Sequence, residues 1–318
     1  LKGLNYEEIA DKGGGINNSA NGVRNSTEIE LFNRLKPRMD KFLKLGTTTI
    51  EAKSGYGLNI ESELKSLKVL HEVSLNHQID IVPTFMGAHA VPKEYNGDVD
   101  SYVDLICDSM IPQVAEQGIA IFNDVFCEKG YFNLDQSERI LKKGLEYGLL
   151  PRIHSDEFNN LGGTKLAGRL KLISADHLMN IEKDDIDIMA DSNTKAVLLP
   201  GTTFFLGHSN YAPYHKLKEA GIEVAIATDY NPGSCNIQSM IFIVTLATIF
   251  MKMDIIDALC SSTYIPSKLL NVDNVCGSIE EGKSADIIVW DIYEPIQIPY
   301  HFSTSPIKSV IKSGKIIF

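Results

Sequence analysis

The chain has 318 residues, of which 44% are hydrophobic, and its mean hydropathy is −0.05. These values are typical of a globular protein with a sizeable core, and they predict one large domain with a smaller one beside it. The formal net charge of −11 argues against nucleic acid and anionic membranes as partners, but it leaves room for a small anionic substrate.

The cysteines and the apolar segments indicate a reduced, cytoplasmic location. Five cysteines occur, the number is odd, and none belongs to a CxxC pair, so we expect free thiols rather than a disulfide framework. No signal peptide is recognisable. The most apolar stretch, residues 240–253, is too short and too interrupted to span a bilayer.

Strand-like and helix-like segments alternate from Thr47 onward. Seven apolar segments are typical of buried strands, and they are residues 47–53, 79–86, 119–126, 151–156, 172–178, 195–201 and 223–229. Between them lie segments with helical periodicity, at residues 60–75, around 102–110, 136–149, 163–170, 182–190 and 214–220. This alternation predicts an α/β protein whose parallel sheet is buried on both faces.

Either an open doubly wound sheet or a closed (β/α)8 barrel would satisfy this order. Polar residues stand at or just beyond five strand ends, and they are Lys53, His89, His154, His177 and Asp229. In a barrel those ends converge on one mouth, whereas an open sheet spreads them along an edge. The convergence favours a TIM-like barrel. Because only seven such strands are found, we expect the first barrel strand to lie upstream of Leu1.

The C-terminal part of the chain has a different pattern. GSIEEGKSADIIVWD (277–291) and SVIKSGKIIF (309–318) contain short alternating strands separated by glycine turns. We therefore predict a metal-dependent hydrolase barrel over residues 1–276, incomplete at its N-terminus. Residues 277–318 are predicted to form the C-terminal part of a small β-domain.

Four of the polar residues at strand ends suggest hydrolytic chemistry. His154 and Asp229 could bind one metal ion, Glu157 could carry a proton, and His177 could stabilise a developing oxyanion. Taken singly, His177 could be a structural histidine, Asp229 a turn former and Glu157 a solvated loop acid. Their placement on neighbouring strand ends favours a shared active site.

Six stretches resemble imidazolonepropionases, hydrolases of the amidohydrolase superfamily, and the resemblance runs from about Tyr6 to the C-terminus. They are EAKSGYGL (51–58), TFMGAHAVP (84–92), IHSDEF (153–158), SADHL (174–178), LLPGTTFFLG (198–207) and ATDYNPGS (227–234). The resemblance implies an amidohydrolase barrel with a small β-sandwich domain. It also implies hydrolysis of the imidazolone ring of 4-imidazolone-5-propanoate to N-formimidoyl-L-glutamate in histidine degradation.

The resemblance also implies roles for individual residues. His154 and Asp229 would be ligands of one Zn or Fe ion per complete chain, Glu157 the acid/base residue, and His177 a helper at the carbonyl oxygen. The implied substrate contacts are Tyr56, His89, Asn231, Gly233, Ser234 and, on a weaker match, Tyr6. A homodimer is expected by the same resemblance, and the ligand types suit Zn and Fe equally.

One departure from the family pattern leaves alternatives open. The family carries an HxH pair of metal ligands on its first barrel strand, and no HxH occurs among the eight histidines here. We expect an N-terminally incomplete sequence, with impaired activity of this fragment. The alternatives are a related deaminase or amidohydrolase acting on another cyclic amidine, or an inactive binding protein that lacks the HxH ligands.

Overall fold

A computed structural model describes residues 15–317. Its larger sheet has seven strands in the spatial order β1 to β7, and each neighbouring pair is parallel. The strands are β1 (Thr49–Lys53), β2 (Asp80–Ala88), β3 (Phe122–Cys127), β4 (Leu150–Ser155), β5 (Ser174–His177), β6 (Lys195–Leu198) and β7 (Val224–Ile226). Within residues 15–317, β1 and β7 do not pair with each other.

Helices precede, connect and follow the strands. Before β1 lie α1 (Gly15–Arg24) and α2 (Glu28–Lys44). The connecting helices are α3 (Ile60–Asn76), α4 (Val99–Leu105), α5 (Ile111–Gln117), α6 (Leu134–Glu146), α7 (Gly163–Leu170), α8 (Lys183–Ser192), α9 (Pro200–Phe205) and α10 (Tyr214–Glu219). After β7 come α11 (Met240–Phe250), α12 (Ile255–Ser262), α13 (Tyr264–Leu269) and α14 (Gln297–Tyr300). A 3₁₀ turn spans Lys93–Tyr95, and a π-helical turn, Ile106–Met110, joins α4 to α5.

Local sequence signals explain where several helices begin. Thr27 accepts a hydrogen bond from the backbone of Glu30, whose side chain accepts one from the Thr27 backbone, and this capping box starts α2. Asn133 and Gln136 form the same arrangement at α6. Asn59 caps α3 by accepting from the Ser62 backbone at 2.8 Å. These caps satisfy amide groups that the first helical turn leaves without partners.

The strands of the larger sheet are buried on both faces, as is usual for parallel sheets. All six residues of β3 are buried, as are eight of the nine residues of β2. Strands that are buried on both faces read as largely apolar runs, which is the pattern seen in the sequence. Phe85, Val125 and Ile153 are fully buried in the main apolar cluster and connect β2, β3 and β4.

The sheet is curled, so that distant strands face one another. Nζ of Lys53, at the end of β1, lies 2.7 Å from Asp124 Oδ2 on β3 and 4.0 Å from Asp176 Oδ2 on β5. Side chains of non-neighbouring strands can meet at such distances only where the sheet bends toward a barrel. The architecture is therefore an incomplete TIM-like α/β barrel, which confirms the predicted fold class.

A second sheet packs beside the barrel and is antiparallel. It consists of β8 (Ile287–Trp290), β9 (Ile307–Lys312) and β10 (Lys315–Ile316), in the order β10-β9-β8. Lys312 is 4% exposed and its ammonium contacts Asp286 at 2.5 Å and also Asp80 at the start of β2. This ion pair ties the small sheet to the barrel, although the domain boundary after residue 276 stays a prediction.

Some element boundaries differ from the prediction. The segment predicted as a strand at 223–229 is extended only over Val224–Ile226, so Asp229 lies in the following loop with a φ of 50°. The helices α1 and α2 were not predicted. Within residues 15–317, no helix combines the length and the apolarity needed to cross a membrane.

Candidate active site

The carboxyl ends of the strands open into a cavity of about 1160 Å³ that extends along the barrel. Most of the residues that the sequence singled out line this cavity, and they are Tyr56, His89, His154, Glu157, His177, Asp229, Asn231, Gly233 and Ser234. Tyr6 lies outside the described residues. The structure therefore brings together candidate residues at or just after the ends of five strands, β1, β2, β4, β5 and β7, as a barrel predicts.

His154 is held in one orientation by a carboxylate that the sequence analysis missed. Its Nδ1 lies 3.0 Å from Oδ1 of Asp124, which is fully buried on β3. An ionised carboxylate can only accept, so Nδ1 carries a proton, and in the neutral imidazole Nε2 is left with its lone pair. Burial by itself lowers the pKa of His154, but the charge of Asp124 and its hydrogen bond, with the charge of Asp176, together raise that pKa above its ordinary value.

A network of charges adjoins His154, with Asp124, Arg152 and Asp176 buried and Glu51 and Lys53 partly exposed. Lys53 Nζ contacts Glu51 Oε1 and Asp124 Oδ2, each at 2.7 Å. Arg152, which is 2% exposed, contacts Glu51 Oε2 and Asp176 Oδ2, each at 3.0 Å. Buried charges are tolerated when they are paired in this way. The network fixes side chains of β1, β3, β4 and β5 relative to one another.

Asp124, His154 and Asp176 place ligand-type atoms within 4.8 Å of one another. A metal ion among these three residues conflicts with the charges already present. Asp124 already contacts Lys53 and His154, while Asp176 accepts from Arg152 and from Ser174 at 2.7 Å. Two cations at these carboxylates would repel a third. We assign Asp124 as the residue that orients His154, and this leaves the imidazole Nε2 available to a ligand.

Asp229 faces the same cavity from the loop after β7. Its Oδ2 accepts a hydrogen bond from the Thr202 hydroxyl, and burial raises the pKa of its carboxyl group. Asn231 uses its amide within the same loop, where Nδ2 donates to the Asp229 carbonyl at 2.7 Å and Oδ1 accepts from the Ser234 backbone at 2.7 Å. These hydrogen bonds hold the loop in one conformation. That Asn231, Gly233 and Ser234 contact the substrate stays a prediction.

Glu157 and His177 form a pair with opposite shifts in pKa. Oε2 of Glu157 lies 3.5 Å from Nε2 of His177, and both side chains are more than nine-tenths buried. Burial raises the pKa of Glu157, and the charges of Asp229 and Glu128 raise it further. Burial lowers the pKa of His177. These shifts favour the protonated form of Glu157 and the neutral form of His177, a pairing that suits proton transfer.

The backbone around Glu157 is held by other residues. Oε2 of Glu128 accepts from the Phe158 and Asn159 amides at 2.9 and 3.2 Å, and Nδ2 of Asn180 donates to the Glu157 carbonyl at 2.8 Å. Asp156 turns away from the cavity and accepts a hydrogen bond from the Thr164 hydroxyl. Asp156 has a φ of 55°, which is a left-handed backbone conformation. This turn in the backbone makes the side chains of Glu157 and His154 leave the chain in different directions.

Tyr56 and His89 form another wall of the cavity. Their rings are 5.0 Å apart and nearly perpendicular. His89 Nδ1 lies 2.9 Å from the Gly55 carbonyl, which only accepts, so this nitrogen carries the proton. Burial lowers the pKa of His89 to about 4. At neutral pH its Nε2 is therefore an acceptor.

The residues that sequence reasoning missed are mostly buried polar groups in apolar runs. Asp124 interrupts the strand FNDVFC, and Thr202 stands in the apolar stretch around Leu199. A polar residue in a buried strand needs a partner, and this was the available signal. The partner itself could not be read from the sequence, because Asp124 and His154 are 30 residues apart.

Comparisons with known proteins agree with this geometry. The family model described as the amidohydrolase family matches residues 152–317. Imidazolonepropionases of Alkaliphilus oremlandii, Brevibacillus brevis and Shewanella oneidensis are 42%, 44% and 40% identical over 317 residues. These alignments cover all of this chain and 75%, 74% and 78% of the respective relatives. The chain belongs to the imidazolonepropionase family. It is accordingly an amidohydrolase-type enzyme, as the sequence motifs indicated.

More distant structures share the fold. A triazine hydrolase variant has a TM-score of 0.75 at 16% identity, with 99% of this chain and 77% of that chain covered. Zinc-bound atrazine chlorohydrolase from Arthrobacter aurescens has a TM-score of 0.73 at 15% identity, covering 99% and 78%. At such low identities the likeness establishes the barrel fold only.

The described residues fit a metal of the kind that imidazole and carboxylate donors bind. His154 is oriented by Asp124 so that Nε2 is left as a donor atom, and a carboxylate, Asp229, lines the same cavity. A hydrogen-bonded second shell around a ligating histidine is the usual arrangement at zinc and iron sites. Nδ1 of His177, which is buried, has no hydrogen-bond partner among the described residues.

Proposed function

We propose that this family member hydrolyses the imidazolone ring of 4-imidazolone-5-propanoate to N-formimidoyl-L-glutamate in histidine degradation. The observation that carries the proposal is the convergence of His154, Glu157, His177 and Asp229 with Tyr56 and His89 on one cavity. In the reaction, a water oxygen bonds to the ring carbonyl carbon, and the bond from that carbon to the ring nitrogen breaks. The nitrogen receives a proton, and the carbon becomes a carboxylate.

His154 and Asp229 are the proposed protein ligands of one zinc or iron ion. When bound, the ion supplies Lewis-acid polarisation of the reacting carbonyl and of water. Asp124 keeps the His154 ring directed toward the cavity, and Thr202 holds the Asp229 carboxylate. Both neighbours limit how far the donor atoms can move.

Glu157 is the proposed proton carrier. Its raised pKa favours the protonated carboxyl group, which can release its proton to the leaving ring nitrogen. As the ionised form it can take a proton from the attacking water. His177, 3.5 Å away and neutral because of its lowered pKa, is proposed to donate a hydrogen bond to the carbonyl oxygen.

Tyr56 and His89 are the proposed substrate contacts on the opposite wall. Because His89 Nε2 is an acceptor at neutral pH, it suits a ring N–H of the substrate better than the propanoate. The Tyr56 hydroxyl can donate to the carboxylate end, and its phenol stays protonated because burial raises its pKa. The loop of Asn231, Gly233 and Ser234 closes the third side of the pocket.

The proposal also includes a cellular compartment and an oligomeric state for the protein. None of the five cysteines forms a disulfide in residues 15–317, which supports a reducing, cytoplasmic compartment. The homodimer expected from the family resemblance stays a prediction, and sedimentation or light scattering would measure it.

Glu157→Gln tests the proposal directly. We expect the variant to keep its fold and its metal content while kcat on 4-imidazolone-5-propanoate falls by about 10²–10⁴-fold, because the general acid–base group is lost. Glu116→Gln, an exposed change of the same kind, is the matched control. If Glu157→Gln retains more than about a tenth of the wild-type kcat, Glu157 is not the proton carrier.

A further inference from the structure

Glu63 lies outside the catalytic residues, yet it is fully buried and directed at the loop that carries Tyr56. Its Oε2 accepts a hydrogen bond from the Gly55 amide at 2.8 Å. Its Oε1 accepts from the Gly57 and Leu58 amides at 2.7 and 2.8 Å. One carboxylate thus holds three backbone N–H groups of the segment 55–58, which we call the Tyr56 loop.

The Tyr56 loop has a conformation that needs such support. Gly55 has a φ of 97° and Leu58 a φ of 55°. A leucine in the left-handed region is strained and persists only where its surroundings fix it. Charge-assisted bonds to three amides supply that fixation and are stronger than bonds between neutral groups.

Gly55 joins Glu63 to the substrate pocket. Its amide donates to Glu63, while its carbonyl accepts from Nδ1 of His89 at 2.9 Å. Tyr56, the next residue, packs its ring 5.0 Å from that of His89. Any movement of the peptide at Gly55 therefore displaces both proposed substrate contacts together.

A second residue holds the outer side of the same loop. Arg24, from the end of α1, donates through Nε to the Gly57 carbonyl at 2.7 Å and through Nη2 to the Leu58 carbonyl at 3.1 Å. It also contacts Glu94 at 2.8 Å. Glu63 therefore binds the amides of the Tyr56 loop and Arg24 binds its carbonyls, so the loop is fixed from two sides.

We propose that Glu63 is a positioning residue that sets the Tyr56 loop, and through it Tyr56 and His89, in the conformation that binds the substrate. The inference rests on the proposed function and deepens it. Glu63 touches no reacting atom. It raises the fraction of molecules whose loop is competent to bind, and the apparent affinity depends directly on that fraction.

Glu63→Gln tests this role, because glutamine keeps the shape but replaces one acceptor oxygen with a donor amide. If the competent fraction falls to about a tenth, KM rises about tenfold while kcat at saturation stays near the wild-type value. Backbone amide exchange should accelerate in residues 54–58 and not across the barrel. Glu61→Gln, an exposed change on the same helix, should alter neither quantity.

A double-variant cycle separates positioning from a general effect on stability. In a background that carries both Tyr56→Phe and His89→Ala, adding Glu63→Gln should change KM much less than it does in the wild type, because its effect passes through these two contacts. Arg24→Met should also raise KM, by a smaller factor than Glu63→Gln. It provides the test if Glu63→Gln does not fold. The proposal would be overturned if Glu63→Gln raised KM by the same factor in both backgrounds. It would also be overturned if kcat fell while KM stayed unchanged.

The exchange measurement needs no substrate and keeps the two proposals distinct. Unchanged protection of residues 54–58 in Glu63→Gln and in Arg24→Met overturns the positioning role, whatever the activity. A wild-type protein that binds and hydrolyses no 4-imidazolone-5-propanoate overturns the proposed function. Even in that case, faster exchange of the loop amides in both Glu63→Gln and Arg24→Met would show that these two residues hold the Tyr56 loop.

Discussion

Nδ1 of His154 donates to Oδ1 of Asp124 across 3.0 Å, and this bond joins two neighbouring strands at the base of the cavity. It fixes both the rotamer and the tautomer of the imidazole. The other carboxylate oxygen of Asp124 contacts Lys53 at 2.7 Å. The orientation of the proposed metal ligand is thus set by a chain of contacts that begins on β1.

Asp124→Asn should weaken metal binding about 10–100-fold, because second-shell partners of ligating histidines typically contribute that much. The amide can present a donor to Nδ1 and so favour the wrong tautomer. Competition with a chelator, followed by elemental analysis, measures the affinity of the apoprotein for zinc. Asp187→Asn, an exposed change on α8, is the control. Unchanged affinity in Asp124→Asn would instead support a site that does not use His154.

The fold was largely predictable because apolar periodicity is a local signal. The predicted strand at 79–86 is observed over Asp80–Ala88, and the predicted helix at 163–170 is α7. Boundaries were less certain where turn geometry decides them. Asp229 was predicted to end a strand, but β7 ends at Ile226 and the next residues form a loop.

The site was predictable only as a set of residue types at strand ends. His154, Glu157 and His177 line the cavity as expected. The residues that orient them were not predicted, since Asp124 and Glu128 each contact a partner 30 residues away that periodicity does not reveal. A buried carboxylate signals that a partner exists, but only the three-dimensional fold identifies the partner.

Lys53→Met should destabilise the protein by about 3–5 kcal/mol, because removing one partner of a buried ion pair leaves uncompensated charge. The ammonium contacts Glu51 and Asp124, and burial of Glu51 is offset by Arg152 and Lys53, which lower its pKa. Urea denaturation at pH 7 measures the change. Lys36→Met, at an exposed position of α2, should have little effect. A similar stability for both variants would show that Arg152 alone sustains the network.

Gly55→Ala should impair substrate binding as well as stability. At a φ of 97°, an added Cβ would lie 2.7 Å from the Met86 carbonyl oxygen and 3.2 Å from His89. The crowding must displace His89 or the loop, so we expect a higher KM on 4-imidazolone-5-propanoate. Steady-state kinetics and thermal unfolding together measure the two effects.

Gly97→Ala is the matched control for that substitution. Gly97 has a φ of 84°, but an added Cβ would meet no atom within 4 Å. The cost should be limited to the backbone strain of roughly 1–2 kcal/mol, with KM unchanged. Equal effects of the two alanine substitutions on KM would mean that the space around Gly55 does not matter for substrate binding.

His89 should make the protein less stable in weak acid. Its pKa is about 4 in the folded protein, because of burial, against 6.5 for an unperturbed histidine. As pH falls below about 6.5, the unfolded chain takes up a proton that the folded protein does not, so stability decreases toward pH 4. At pH 5 this linkage is worth about 2 kcal/mol. A histidine whose charged form is stabilised by a carboxylate would have the opposite effect, because it would make the folded protein more stable as the pH falls.

His89→Gln removes this titration and serves as its test. The difference in unfolding free energy between pH 7 and pH 5, measured by urea denaturation, should be smaller in the variant by about 2 kcal/mol. His177, whose pKa is also lowered by burial, titrates in both proteins and cancels from the comparison. An identical pH dependence would mean that His89 has the same pKa in the folded and the unfolded protein. A steeper loss of stability in the variant would mean that folding raises the pKa of His89. Its Nε2 would then be a donor near neutral pH, and a contact with the substrate propanoate would replace the proposed contact with the ring N–H.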